Sequence, residues 1–147
     1  MTIFKGVYNT LAQQGPSFVP IVGGLGGGKA TIFYDYYAIP ASGFADGDSI
    51  NLGVENALKK GDTFLDFHLW HEAMNTSVVA NVGDDGDDDR YGVNLDVAAA
   101  GTAPKVGNAF AGFGYLLTQD RPLRVKLSGA TPTPAKIIKI AWAVLRA

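Results

Sequence analysis

The sequence predicts an all-β fold, an antiparallel sandwich preceded by an irregular N-terminal arm. Three observations carry this. Apolar and polar residues alternate with period two in several short runs. Nineteen glycines and seven prolines punctuate the 147-residue chain, which favours many turns over long helices. No segment has a defensible helical period beyond a single turn at Val54–Leu58.

In chain order, residues 1–29 are irregular. They contain Gly15-Pro16, Pro20 and the run GGLGGGKA, and read as an arm and Gly-rich connector. Residues 30–147 read as the sandwich domain. Thr31–Ile39 is rich in Tyr, Phe and Ile on both faces, so it is expected to be doubly buried or to lie in an interface. Ile50–Val54 is a weaker strand candidate. In Thr63–Glu72, Leu65, Phe67 and Leu69 are expected on one face, with Asp66, His68, Trp70 and Glu72 on the other. Thr76–Val82 follows as a β-rich run, closed by Gly83-Asp84-Asp85-Gly86. Tyr91–Val97 and Phe110–Leu117 are further weak candidates. The strictest alternation is Leu123-Arg124-Val125-Lys126-Leu127-Ser128. In the last run Ile138, Ile140, Trp142 and Val144 share a face, opposite Lys139, Ala141 and Ala143. This makes roughly eight strands, the density of a sandwich or barrel.

Net charge is −2, but unevenly spread. Residues 1–96 carry 5 basic and 13 acidic side chains, net −8; residues 97–147 carry 7 basic and 1 acidic, net +6. Such halves attract each other, within one chain or head to tail between copies, unless interleaved strands mix the charges. There is no cysteine, hence no disulfide framework and no thiolate nucleophile, which fits assembly in a reducing cytoplasm. The start lacks the apolar core of a signal peptide, and no run of about 18 apolar residues suggests a helical span, so no membrane partner is expected.

Four motifs invite chemical readings. GGLGGGKA approximates a phosphate-binding loop, but Ala30 stands where the magnesium-binding Ser or Thr is needed, and a strand-like run follows where the helix should start. A flexible connector that lets the arm swing is the better reading. Asp84-Asp85-Gly86-Asp87-Asp88-Asp89 gathers five carboxylates; Asp85, Asp87, Asp89 and Asp96 have the spacing of calcium-loop ligands. Arg90 replaces the turn glycine and Asp96 is too short for the bidentate Glu, so a solvated acidic turn is preferred and no metal is assigned. His68 and His71, three apart on a strand, point to opposite faces and cannot share an ion. Arg124, Lys126, Lys136 and Lys139 would form a basic patch only if their strands were adjacent; without interleaved aromatics, nucleic acid is not expected. No GxSxG elbow or activated nucleophile is present, and nothing marks two carboxylates as a glycosidase pair. The chain is therefore read as non-enzymatic and without a cofactor.

The order of segments resembles a known family. Gly47-Asp48-Ser49-Ile50-Asn51-Leu52 is followed by Leu58-Lys59-Lys60-Gly61-Asp62-Thr63 and the alternating strand. Then come Val82–Tyr91 with its acidic turn, an Ala/Gly-rich middle, Gly114-Tyr115-Leu116-Leu117-Thr118, a basic strand and a terminal apolar strand. Over about residues 45–147 this resembles the capsid decoration (cement) proteins of tailed bacteriophages. The resemblance implies a jelly-roll-like sandwich on the outside of a phage head, bound to the major capsid protein, homotrimeric, and assembled in the host cytoplasm. Ile32, Phe33, Tyr34, Tyr36 and Tyr37 are the interface candidates, with a plain core role as the alternative, and Met1–Tyr8 is the candidate arm. Two other readings compete. One is a neck, tail or fibre component. The other is a carbohydrate-binding sandwich with Trp70, Tyr91 or Trp142 as stacking platform and the Asp turn holding calcium.

Overall fold

The computed structural model describes residues 2–5, 23–25, 28–103 and 112–146. Ten strands occupy these residues: β1 (Ile3–Lys5), β2 (Gly23–Leu25), β3 (Gly28–Ala38), β4 (Ser49–Leu52), β5 (Thr63–His71), β6 (Val79–Asp84), β7 (Asp87–Asp96), β8 (Gly101–Ala103), β9 (Leu123–Ser128) and β10 (Ile137–Arg146). They form two sheets. Sheet A has the order β1-β4-β9-β6-β7, and sheet B the order β2-β3-β10-β5-β8. From β3 to β6 the chain changes sheet at every step, and it does so again from β7 to β10. Without the short β1 and β2, the remaining four-stranded sheets have the strand order of a jelly roll. No described helix is long and apolar enough to cross a membrane.

Period-two patterning builds the core. In β10, Ile138, Ile140, Trp142 and Val144 are buried while Lys139 is exposed, as the alternation requires. In β9, Leu123, Val125 and Leu127 face Ile50, Leu52, Ala80 and Val82 of the neighbouring strands and are all buried. These rows meet the inner face of sheet B as one core, where burial is the dominant stabilising term. Asp35 is a polar pin through it. Its row neighbours are Ile140 and Leu69, it is fully buried, and its Oδ2 accepts the Gly53 amide at 2.8 Å. Gly53 sits at φ +73°, and a Cβ there would strike Trp142, so this bend needs glycine.

Several expectations change. In β5, Phe64 rather than Leu65 is buried with Phe67 and Leu69. A β-bulge opposite Ala143/Val144 inserts one residue and shifts the phase at the start of the strand. Phe110–Leu117 is not a strand over its described part: Gly112–Gly114 is a turn, and Leu116 makes one isolated bridge to Thr63. Residues 3–5 of the arm form β1, parallel to β4 at the edge of sheet A. Residues 1 and 6–8 of Met1–Tyr8 lie outside the described residues. GGLGGGKA contributes β2 and the first residues of β3, paired antiparallel, so no helix follows the glycines.

The charge asymmetry resolves inside the chain. Basic β9 lies between acidic-half strands β4 and β6. Arg124 and Lys126 reach Asp88, and Arg121 reaches Asp84 and Asp85. The basic patch does not form. Arg124 and Lys126 belong to sheet A, Lys139 to sheet B, and Arg124 is buried.

Candidate functional site

Three surfaces carry the groups that a function could use. The first is the acidic hairpin. Asp85 and Gly86 turn between β6 and β7, and Asp84 sits fully buried at the base. Asp84 accepts the Gly86 amide at 2.8 Å, Arg90 Nε at 2.9 Å and the Tyr91 hydroxyl at 2.9 Å, with Arg121 Nη1 at 3.3 Å. A buried carboxylate needs such saturation. Burial and then the Asp84 charge push the Tyr91 hydroxyl well above the usual phenol range. Burial alone would raise Asp88, but the bonds from Lys126 and Arg124 outweigh it and hold Asp88 below the usual carboxylate range. Asp89 is raised, first by its hydrogen bond with Asp87.

This geometry separates Asp96 from the other calcium candidates. Asp87 pairs with Asp84 at one end of β7, whereas Asp96 pairs with Val79 at the other, where it accepts the Ala98 amide. Asp85, Asp87, Asp89 and Asp96 therefore do not converge. Among the described residues no group of three or more His, Asp or Glu side chains is placed to hold a metal. Besides the local Arg90, the hairpin's cations Arg121, Arg124 and Lys126 come from β9 and the segment before it, far along the chain, which is why local spacing gave no sign of them.

The second surface is the outer face of sheet B. Three cross-strand rows define it: Tyr36–Lys139–Trp70–Thr102, Tyr34–Ala141–His68 and Ile32–Ala143–Asp66. Bulky residues on β3 and β5 flank Ala141 and Ala143 on β10, so the middle of the face is a trough. Ile32, Tyr34 and Trp70 are exposed, at 44%, 44% and 39%. At one end the trough opens into a groove of about 670 Å³ lined by Tyr34, Trp70, His71, Glu72, Gly101, Ile137 and Lys139.

Of the five interface candidates, Ile32, Tyr34 and Tyr36 share this outer face. Phe33 and Tyr37 point to the opposite face and, partly buried, pack against the core. Phe33 stacks on Trp142 at 5.4 Å, and Tyr37 leans on Phe44 at 6.3 Å. Alternation along a single strand explains the split, since neighbours on β3 cannot share a face. The sugar-platform candidates divide similarly. Trp142 and Tyr91 are each 1% exposed, with Tyr91 stacked on Phe64 at 3.9 Å, so only Trp70 is at the surface. His68 is exposed on the outer face and His71 is buried on the inner one, as strand period requires.

The third surface was missed from sequence. Phe113 and Leu116 are 64% and 57% exposed. Their turn is fastened on both sides: Gly114 N donates to Phe64 O, Phe64 N to Tyr115 O and Leu117 N to Asp62 O, at 2.8, 2.9 and 2.9 Å. Arg90 lies over the Tyr115 ring at 4.2 Å. The signal was an apolar run interrupted by Gly112 and Gly114, which a turn exposes and a strand would have half buried.

No family model matches the chain, and no curated protein matches it. Solved structures do share its fold. One is a chain in the cyanophage Pam1 capsid asymmetric unit, at TM-score 0.67 and 23% identity, covering 92% of this chain and 96% of that one. Another is a chain in the capsid of Ralstonia phage GP4, at TM-score 0.68 and 18% identity, covering 99% of both. At these identities the likeness is one of fold.

Proposed function

We propose that this chain is a structural virion protein that decorates the outer surface of a phage head and stabilises the shell, bound to the major capsid protein as a homotrimer. The observation that carries the reading is the end-to-end fold likeness to chains of two phage capsid structures, in which neither partner has an unmatched domain. We also read the protein as non-enzymatic. The clustered acids and bases hold the fold: Asp84, Asp88, Arg90, Arg121, Arg124 and Lys126 are engaged with one another.

Attachment to a shell needs a stiff body and an exposed apolar contact. The jelly roll supplies the first. The fastened turn carrying Phe113 and Leu116 supplies the second, at the end of the sandwich where β5 begins. A molecule seated on that end leaves the outer face of sheet B clear of the shell.

Quantitative mass spectrometry of purified virions tests the reading through the copy number relative to the major capsid protein. A number on the capsid protein's own scale is expected. A few copies to about a dozen would move the protein to the neck, tail or fibre, and absence from particles would overturn the virion reading. Phe113→Ser with Leu116→Ser is expected to lower head occupancy while leaving the melting temperature nearly unchanged.

A further inference from the structure

We infer that the groove at one end of the sheet B outer face is a saccharide site, built for the pyranose rings of a neutral glycan. The inference is independent of the virion reading. Its volume, about 670 Å³, lies in the range of small-ligand sites. Tyr34 and Trp70 flank it diagonally from strands on either side of β10, in rows two residues apart, with backbones about 12 Å apart by strand geometry. Trp70 is propped by His68, whose ring centroid lies 4.3 Å away at 54°, so the indole has a neighbour to hold it on the exposed face. A rigid exposed aromatic with little side-chain entropy to lose suits the apolar face of a sugar ring.

The polar groups select among ligands. Glu72 is held by one oxygen, Oε2, which accepts the Ile137 amide at 2.7 Å; among the described residues its other oxygen has no hydrogen bond. Lys139, between Tyr36 and Trp70 in its row, makes no ion pair among the described residues. The groove thus offers a strong acceptor and a strong donor beside two aromatic rings. Sugar hydroxyls both donate and accept, and so satisfy both groups. A polyanion is disfavoured by the Glu72 carboxylate. A protein surface closing over the groove would have to pair both charges as it desolvated them. The acidic hairpin belongs to the other sheet, and among the described residues no cluster of three or more His, Asp or Glu side chains is placed to hold a cation.

Isothermal titration of the full chain with maltohexaose, chitohexaose, mannohexaose and cellohexaose tests this, with heparin and a single-stranded DNA oligonucleotide as polyanions. At least one neutral oligosaccharide is expected to bind saturably at millimolar or lower concentration, and EDTA to leave the affinity unchanged. Trp70→Ala should weaken that binding at least tenfold, and Lys139→Ala and Glu72→Gln several-fold. Unchanged thermal melts of the three variants would show that the loss is local. Failure of all four neutral sugars, preference for a polyanion, or binding that survives Trp70→Ala would overturn the inference. The virion copy number would be untouched by any of these results.

Discussion

The two outer faces of the sandwich solve the same exposure problem differently. On sheet A, outward polar side chains are tied to one another. Arg124 donates to Asn51 at 3.1 Å and to Asp88 at 3.3 Å, and Lys126 donates to Asp88 at 3.0 Å. On sheet B, alanines run down the middle, aromatic residues stand on either side, and Lys139 and Asp66 have no ion pair among the described residues. One face is closed chemically and contributes to the fold. The other keeps apolar area and unspent charge at the surface, the arrangement expected where a partner or ligand binds. Positions on sheet A should therefore matter to stability and positions on sheet B to binding.

The sharpest test of that contrast is Asp84→Ala. It strands the Arg90 and Arg121 guanidinium groups and the Tyr91 hydroxyl at a buried site, and a cost of about 3–5 kcal/mol is expected in urea unfolding. A loss below about 1 kcal/mol would show that the hairpin is not anchored there. Tyr91→Phe keeps the stack on Phe64 but removes one donor to Asp84, at an expected cost of about 1–3 kcal/mol by the same measurement.

Acid should act through sheet A. The folded pKa of Asp88 lies below its unfolded value, so its stabilisation is present above about pH 4 and is lost as pH falls through the folded value. Asp88→Asn should flatten that acid limb. Because the pair is partly solvated, the effect at neutral pH should stay near 1 kcal/mol or less. A Lys126–Asp88 double-mutant cycle in chemical denaturation measures the coupling directly.

The smallest effects complete the comparison. Trp70→Ala should change unfolding free energy by no more than about 0.5 kcal/mol, since the side chain is outside the core. A large loss would make the sheet B face structural and erase the contrast. Millimolar calcium or EDTA should leave the melting temperature where it is, because Asp85, Asp87, Asp89 and Asp96 lie at different ends of β7 or are held by other partners. A calcium-dependent rise would mean that the hairpin rearranges around an ion.

Much of this was legible before folding. The alternation in Leu123–Ser128 and Lys136–Leu145 told which apolar residues go inside, because a strand's period is two whatever its neighbours are. The opposed directions of His68 and His71 followed from the same rule. The phase of Leu65 was not legible, since a bulge depends on the partner strand. Nor were the cationic partners of Asp85 and Asp88, which come from residues 36 to 38 positions away in sequence. Phe113 and Leu116 were misread because an apolar run says nothing about whether the surrounding backbone bonds will hold it at the surface.

By itself the sequence determined the β class, the strands with strict alternation, the lack of thiol chemistry and the unsuitability of the glycine run for phosphate. Each follows from local covalent and steric rules. Tertiary structure alone decided the jelly-roll order, the pairing of the two charged halves, which face of β3 turns inward, and the groove between Tyr34 and Trp70. Those features depend on which distant strands become neighbours, and that choice is made by burying one shared core rather than by any short stretch of chain.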